Sequence, residues 1–306
     1  GSNMNKVILL TAAMASLAIA PFTAANGPID GKLYGKINVA VVNSDSGSTD
    51  NWKLNSNASR IGLKGSSQIS EGLSVFYKTE FEVDVDDGKT SDGTFKQRNI
   101  YAGIKGQYGS LLAGKNDTPT KLAQKKIDLF NDSVGDIKKT FAGENRMSNI
   151  IAYTTPKYGN FSASYAVMPS EADNGGLADS KSFSVNYKKE GLYVAVAADS
   201  NVEEADILRI VSQYKIDAWK LGLMYQENDT TNESGYFTSA AYKCDNITYK
   251  AQYGNNENDT EGSDKTTLSL GADFKLAKNT KSFVFFTDNE SSSSTKTFGL
   301  GLEHKF

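Results

Sequence analysis

The feature that most constrains this chain is a two-residue alternation of apolar and polar side chains, repeated in segment after segment. Phe161, Ala163, Tyr165 and Val167 fall on one face of an extended strand, and Ser162, Ser164 and Ala166 on the other. Phe183, Val185 and Tyr187 alternate in the same way with Ser184, Asn186 and Lys188, and Trp219, Leu221, Leu223 and Tyr225 with Lys220, Gly222, Met224 and Gln226. Ile247, Tyr249, Ala251 and Tyr253 alternate with Thr248, Lys250 and Gln252. The connections alternate too. Tight turns near residues 67–72, 107–109, 156–159, 188–191, 215–218, 244–246 and 275–279 are interleaved with longer polar stretches. Those stretches are 43–52, 86–93, 116–145, 169–180, 200–205, 227–234, 255–264 and 289–296. This arrangement predicts about sixteen strands, with short turns at one end and long loops at the other, as in an up-and-down barrel. A soluble sandwich would not divide its connections so.

The solvent of the outer face follows from what else the sequence holds. Met4-Asn5-Lys6, the apolar run 7–20 and the small residues Thr23, Ala24 and Ala25 form a secretory signal, with cleavage expected between Ala25 and Asn26 and Gly1 to Asn3 as a cloning remnant. Residues 26–306 then read as a single domain, since no linker or composition shift divides them. After Ala25, charged or amide residues interrupt every apolar run before the ~20 residues of a helical span. Only strands could cross a membrane, and a sheet in lipid must close to leave no unpaired edge. Residues 31–43, with Leu33, Ile37, Val39 and Val41, and residues 296–306, with Phe298, Leu300, Leu302 and Phe306, suit as closing partners. Tyr101, Tyr153, Tyr165, Tyr187, Tyr225 and Tyr253 are expected in interfacial aromatic girdles. The fold class is therefore all-β, a closed antiparallel transmembrane β-barrel.

Several function classes fall away. The net charge is −3, with 33 basic and 36 acidic residues, too balanced for a nucleic-acid partner. Cys244 is the single cysteine, so there is no intramolecular disulfide framework. His304 is the single histidine and lies on the closing strand, which leaves no histidine-dependent triad and argues against an enzyme. No cofactor or metal is expected. The acidic stretch 255–264, with Asn255, Glu257, Asn258, Asp259, Glu261 and Asp264, could hold divalent cations but reads more readily as a solvated loop.

The sequence resembles the trimeric general diffusion porins of Gram-negative bacteria from the signal peptide to the last residue. Leu33-Tyr34-Gly35-Lys36 is similar to the family's first strand and Ser59-Arg60-Ile61-Gly62-Leu63-Lys64-Gly65 to its second. Arg98-Asn99-Ile100-Tyr101-Ala102-Gly103 and Tyr108-Gly109-Ser110-Leu111-Leu112-Ala113-Gly114-Lys115 resemble the fourth and fifth, and Asn145-Arg146-Met147-Ser148-Asn149 opens the sixth. Phe306 matches the family's terminal assembly signal, while His304 departs from the hydrophobic residue often found near it. The resemblance implies a cell outer-membrane location, a homotrimer among lipid and lipopolysaccharide, and a third loop folded inward to form a constriction. It implies passive diffusion of small hydrophilic solutes and ions.

The segment 116–145, about thirty residues, is long enough to be that loop. It carries Asp128, Asp132, Asp136 and Glu144, and Phe130-Asn131-Asp132-Ser133-Val134-Gly135-Asp136 is similar to the family's eyelet segment. The family's basic barrel wall matches Lys36, Arg60, Arg98 and Arg146 here, and those positions hold three of the chain's four arginines. The facing of Arg209, the fourth, is not fixed by the pattern. Acids on the loop opposite bases on the wall would set a transverse field across water, favouring polar solutes. Lys121, Lys125, Lys126, Lys138 and Lys139 crowd the same loop and leave ion preference open. A substrate-selective channel remains an alternative, marked by lumenal aromatics for which Tyr34, Phe237 and Phe286 are candidates. A structural or adhesin barrel with a plugged lumen is another.

Overall fold

The computed structural model describes residues 31–88, 93–259 and 264–306; the expected signal segment and part of the 255–264 stretch lie outside them. Seventeen strands form one sheet: β1 (Gly31–Asp45), β2 (Asp50–Ser56), β3 (Arg60–Ser70), β4 (Leu73–Glu82), β5 (Lys96–Gly106), β6 (Gly109–Asp117), β7 (Arg146–Thr154), β8 (Phe161–Met168) and β9 (Ser180–Lys189), followed by β10 (Leu192–Val202), β11 (Ala205–Ile216), β12 (Trp219–Asn228), β13 (Glu233–Cys244), β14 (Ile247–Asn258), β15 (Lys265–Ala277), β16 (Thr280–Glu290) and β17 (Ser294–Lys305). Every pairing is antiparallel, and β1 pairs with β17 from Lys36↔Lys305 to Asp45↔Lys296, which closes the barrel.

Seventeen segments make sixteen staves, because β2 and β3 are halves of one stave. β1 pairs with β3 over its first half, Gly31↔Gly65 to Lys36↔Arg60, and with β2 over its second, Val39↔Ser56 to Asp45↔Asp50. The interruption at Asn57–Ser59 has a polar cause. The Asn38 amide N–H donates to Ser59 Oγ at 2.9 Å, and Asn57 Nδ2 donates to Asn38 Oδ1 at 3.2 Å, diverting the ladder into side-chain bonds. Ala58 takes φ +49° there, and the chain re-enters the sheet at Arg60 with that side chain facing inward.

The outer face is the apolar register. Leu33, Leu221, Leu223, Leu270, Leu300 and Leu302 are all exposed, as are Tyr153, Tyr165 and Tyr225. Among the described residues no helix is long and apolar enough to cross a membrane. Three departures from the sequence reading are instructive. Tyr101 faces the lumen rather than the girdle, because a register shift between Thr79 and Phe81 puts it opposite inward Lys78. Phe286 faces outward, and Phe283 and Phe285 are the inward aromatics of β16. The stretch 200–205 is no long loop. Glu203 and Glu204, at φ +51° and +60°, join Val202 to Ala205 in a two-residue hairpin turn.

Buried apolar contact lies inside the barrel, between the strands and the segment joining β6 to β7. That segment holds a short helix, α1 (Pro119–Ala123), and a single 3-10 turn (Ile137–Lys139). Its Ala123, Ile127, Ile137 and Phe141 pack with Tyr193, Ala195, Ala197, Val211, Met224 and Phe237. Its Phe130, flanked by Leu129 and Val134, packs with Ala40, Val42, Phe283 and Phe285. Removing each large apolar side chain from water stabilises the arrangement by roughly 1.5–3 kcal/mol.

Candidate pore constriction

Thr118 caps α1, accepting from the Lys121 N–H at 3.2 Å, and Pro119 fits the first turn where a missing N–H costs nothing. The loop is then tied to the inner wall bond by bond. Gln252 receives the Leu129 N–H at 2.9 Å and donates to Gly135 O at 2.6 Å; Asn256 donates to Thr140 O at 3.0 Å and Asn289 to Val134 O at 3.0 Å. These amides lie on β14 and β16, so one side of the lumen holds the loop while the other faces its tip.

At the tip, Asp128 accepts from the Phe130 N–H at 2.9 Å and the Ile137 N–H at 3.0 Å, closing the eyelet on itself. Asp136 accepts from the Asp132 N–H at 2.9 Å and the Lys138 N–H at 3.0 Å. Burial, then the nearby charge of Asp136, pushes the Asp128 carboxyl up to about 7. Both acids are spent on the loop's own backbone. Their work leaves Asp132, at φ +66°, projecting toward the basic wall.

Asp132 Oδ2 lies 2.8 Å from Lys36 Nζ and also pairs with Arg60. Burial would raise this carboxyl, but Arg60, Lys36 and Arg98 outweigh it and hold it at about 2. Beyond Arg60 the wall alternates in sign. Arg98 Nε sits 2.9 Å from Glu80, and its Nη1 2.5 Å from Glu82; Lys78 meets Glu80 at 3.1 Å, and Tyr34 donates to Glu80 at 2.7 Å. Arg146 Nε is 3.0 Å from Asp117 and Lys121 Nζ is 3.2 Å from the same residue. Glu144 does not face this wall. It is paired at 2.7 Å with Arg209 on the opposite side, and burial raises its carboxyl while Arg209 opposes the shift.

The structure thus brings Lys36, Arg60 and Asp132 together, places Arg98 and Arg146 on the same wall, and puts Asp128, Asp136 and Glu144 in the loop's scaffold. Sequence reasoning missed Lys78, Glu80, Glu82 and Asp117. The signal was present: Lys78, Glu80 and Glu82 sit at two-residue spacing on one face, with Glu82 opposite Arg60 across the sheet. Two ion-pair groups lie on this side: Lys36, Arg60, Lys78 and Arg98 with Glu80, Glu82 and Asp132, and Lys121 and Arg146 with Asp117, six cations to four carboxylates together. At the outer end, Asp84, Asp86 and Asp87 bring carboxylate oxygens together, away from the 255–264 stretch.

A closed sheet with an apolar outside, a charged lumen and a long loop bound to its inner wall defines an outer-membrane diffusion pore. The chain belongs to the Gram-negative porin family, whose sequence pattern matches residues 10–294. It is 24% identical over 285 residues to the major outer membrane protein P.IB of Neisseria meningitidis serogroup B, covering 81% of this chain and 83% of that one. In fold it is similar to an anion-selective porin from Comamonas acidovorans, with a TM-score of 0.77, 20% identity and coverage of 91% and 100% of the two chains. The trimer form of OmpT from Vibrio cholerae gives a TM-score of 0.71, 16% identity and coverage of 90% and 99%. The protein is an outer-membrane porin, a channel for passive diffusion of small hydrophilic solutes and not an enzyme.

Proposed function

We propose that flux through this porin is controlled where the Asp132 tip meets the wall of Lys36, Arg60, Arg98 and Arg146, and that the resulting constriction prefers anions. The observation that carries the reading is the bridge from Asp132 to both Lys36 and Arg60. It spends the one tip carboxylate on two cations, so the two ion-pair groups together keep a surplus of two positive charges. In a narrow, low-dielectric passage a small surplus of fixed charge sets which ions accumulate. Asp128, Asp136 and Glu144 act by holding the loop. The relative described as anion-selective supports the same sign. Apolar solutes would have to displace water bound to these charges and are disfavoured.

A sugar-selective channel would want an open aromatic track, and the candidates do not make one: Phe237 is covered by Phe141 of the loop, Phe286 faces outward, and Tyr34 is held on the wall, donating to Glu80. The assembly proposed is a homotrimer, as a trimer form is known for a protein of the same fold, with lipid and lipopolysaccharide around the apolar band. The test is the reversal potential of the folded protein in planar bilayers across a KCl gradient. An anion-preferring potential that grows more so in Asp132→Asn, with closures in steps of three, is expected. A cation preference overturns the selectivity, and silent bilayers would return the plugged adhesin or structural barrel.

A further inference from the structure

On the other side of the loop, toward the short-turn end, five lysines converge without an ion pair among the described residues. Lys188 stands opposite Tyr193 in the β9–β10 register, and Lys215 opposite Lys220 in the β11–β12 register, all on the inward face. The loop lays Lys125 over them, its Nζ 5.1 Å from the Tyr193 ring centroid, and Lys220 Nζ donates to the Lys126 carbonyl oxygen. Among the described residues none of Lys125, Lys126, Lys188, Lys215 and Lys220 has an ion-pair partner, whereas Lys36, Lys78, Lys121, Lys250 and Lys281 each have one. The nearby acid, Asp128, has both oxygens on backbone amides. Burial, then Lys188, Lys126, Lys157 and Lys215, pulls the Lys125 ammonium below the usual lysine range.

A second observation is independent of charge. Gln213 lies between Tyr193 and Gly222 in register and two residues before Lys215, facing inward and 7% exposed, and its Nε2 has no hydrogen-bond partner. A buried donor beside clustered ammonium groups is a site short of an acceptor. We propose that Lys125, Lys188, Lys215 and Lys220, with Gln213 Nε2, form a subsite for small multivalent oxyanions of the phosphate type in the turn-side half of the lumen. Multivalent charge answers several ammonium groups at once, and tetrahedral oxygens can also take the amide donor. Lysine suits transit, since flexible point charges hold such an anion without the fixed bidentate grip of arginine.

The inference rests on a water-filled lumen, so its test separates the two. With the folded full chain in planar bilayers in KCl, inorganic phosphate is added to either side at constant ionic strength. Saturable loss of chloride current, stronger from the turn side, is expected. The half-blocking concentration should rise about tenfold in Lys215→Gln/Lys220→Gln, the loss of charge-assisted bonds. It should stay put in Lys275→Gln, another lysine of that end three strands further round, on β15. Unsaturable block, no effect of the double variant, or an equal effect of Lys275→Gln overturns the site. Should the bilayers stay silent, phosphorus NMR linewidth of inorganic phosphate titrated with the micelle-held protein decides alone. Broadening lost in the double variant supports the site, and no broadening overturns it.

Discussion

Arg209 Nη1 and Glu144 Oε1 lie 2.7 Å apart inside the barrel, with the arginine fully buried. Arg209 also donates from Nε to Gln226 at 2.8 Å, from Nη2 to the Ala142 carbonyl at 2.8 Å and from Nη1 to the Thr120 carbonyl at 3.4 Å. One strand side chain therefore holds the returning end of the loop through its backbone and its acid together. Arg209→Met leaves Glu144 buried and unpaired, a change worth about 3–5 kcal/mol. We expect a lower unfolding midpoint and larger, noisier single-channel currents as the loop detaches. Glu144→Gln with Arg209→Met, which removes the stranded charge, should recover part of the stability but not the quiet current. An unchanged current in Arg209→Met would mean that the apolar contacts alone seat the loop.

The loop tip should respond to pH in a definite direction. Burial, then the charge of Asp136, pushes the Asp128 carboxyl up to about 7 from the ordinary 3.8, so the folded state holds a proton that the unfolded or detached loop has released. Its contribution is full below about 4 and is lost as pH rises through about 7. Asp132 runs the other way: its bridge is intact above the ordinary carboxylate value and fails as pH falls through about 2. Between pH 4 and 8 only the first is active, so open-channel noise should grow toward pH 8. Asp128→Asn should flatten that dependence; noise that persists with the same pH profile in the variant would assign it to another group.

Close approach of loop to wall depends on small residues. A Cβ on Gly222 would lie 2.7 Å from Ile127 Cγ2 and 2.5 Å from Ser239 Oγ. Gly222→Val should overpack the seam by about 1–3 kcal/mol and lift the loop. Conductance should rise, and Ile127→Ala added to Gly222→Val should bring it back toward the parent by emptying the contested space. Failure of that rescue would place the strain at Ser239 instead.

The barrel was legible because lipid enforces period two along most staves, and Leu221, Leu223 and Tyr225 obey it without exception. The inward loop was legible by its length and by the resemblance of residues 130–136 to the family's eyelet, though Ile127, Phe130, Ile137 and Phe141 within a polar stretch were its physical signature. Charges were harder. The family resemblance pointed to Lys36, Arg60, Arg98 and Arg146 but passed over Glu80 and Glu82, whose facing follows from parity alone. Tyr101 defeated the parity rule, since one register shift reverses the face of everything beyond it. Which loop acid reaches the wall depended on hydrogen bonds from Phe130, Ile137 and Lys138 amides, which no spacing announces.

Closure of the barrel turns on one more contact between remote residues. Gly35 and Phe306 exchange backbone hydrogen bonds at 3.0 and 3.1 Å, and a Cβ on Gly35 would stand 2.2 Å from the Phe306 ring. The far end of the ring therefore occupies the place of a Gly35 side chain, at the seam where the last stave meets the first. Gly35→Val should displace it and cost folding yield, measured as the heat-modifiable fraction on refolding in detergent. Loss measured in cells would confound export with packing. Refolding in vitro removes that ambiguity. There, Phe306→Ala should fold less well than the parent, and Gly35→Val should be far better tolerated in the Phe306→Ala background, with no ring left to displace. Equal losses for Gly35→Val in both backgrounds would show that the seam is limited by the strand itself and not by the ring.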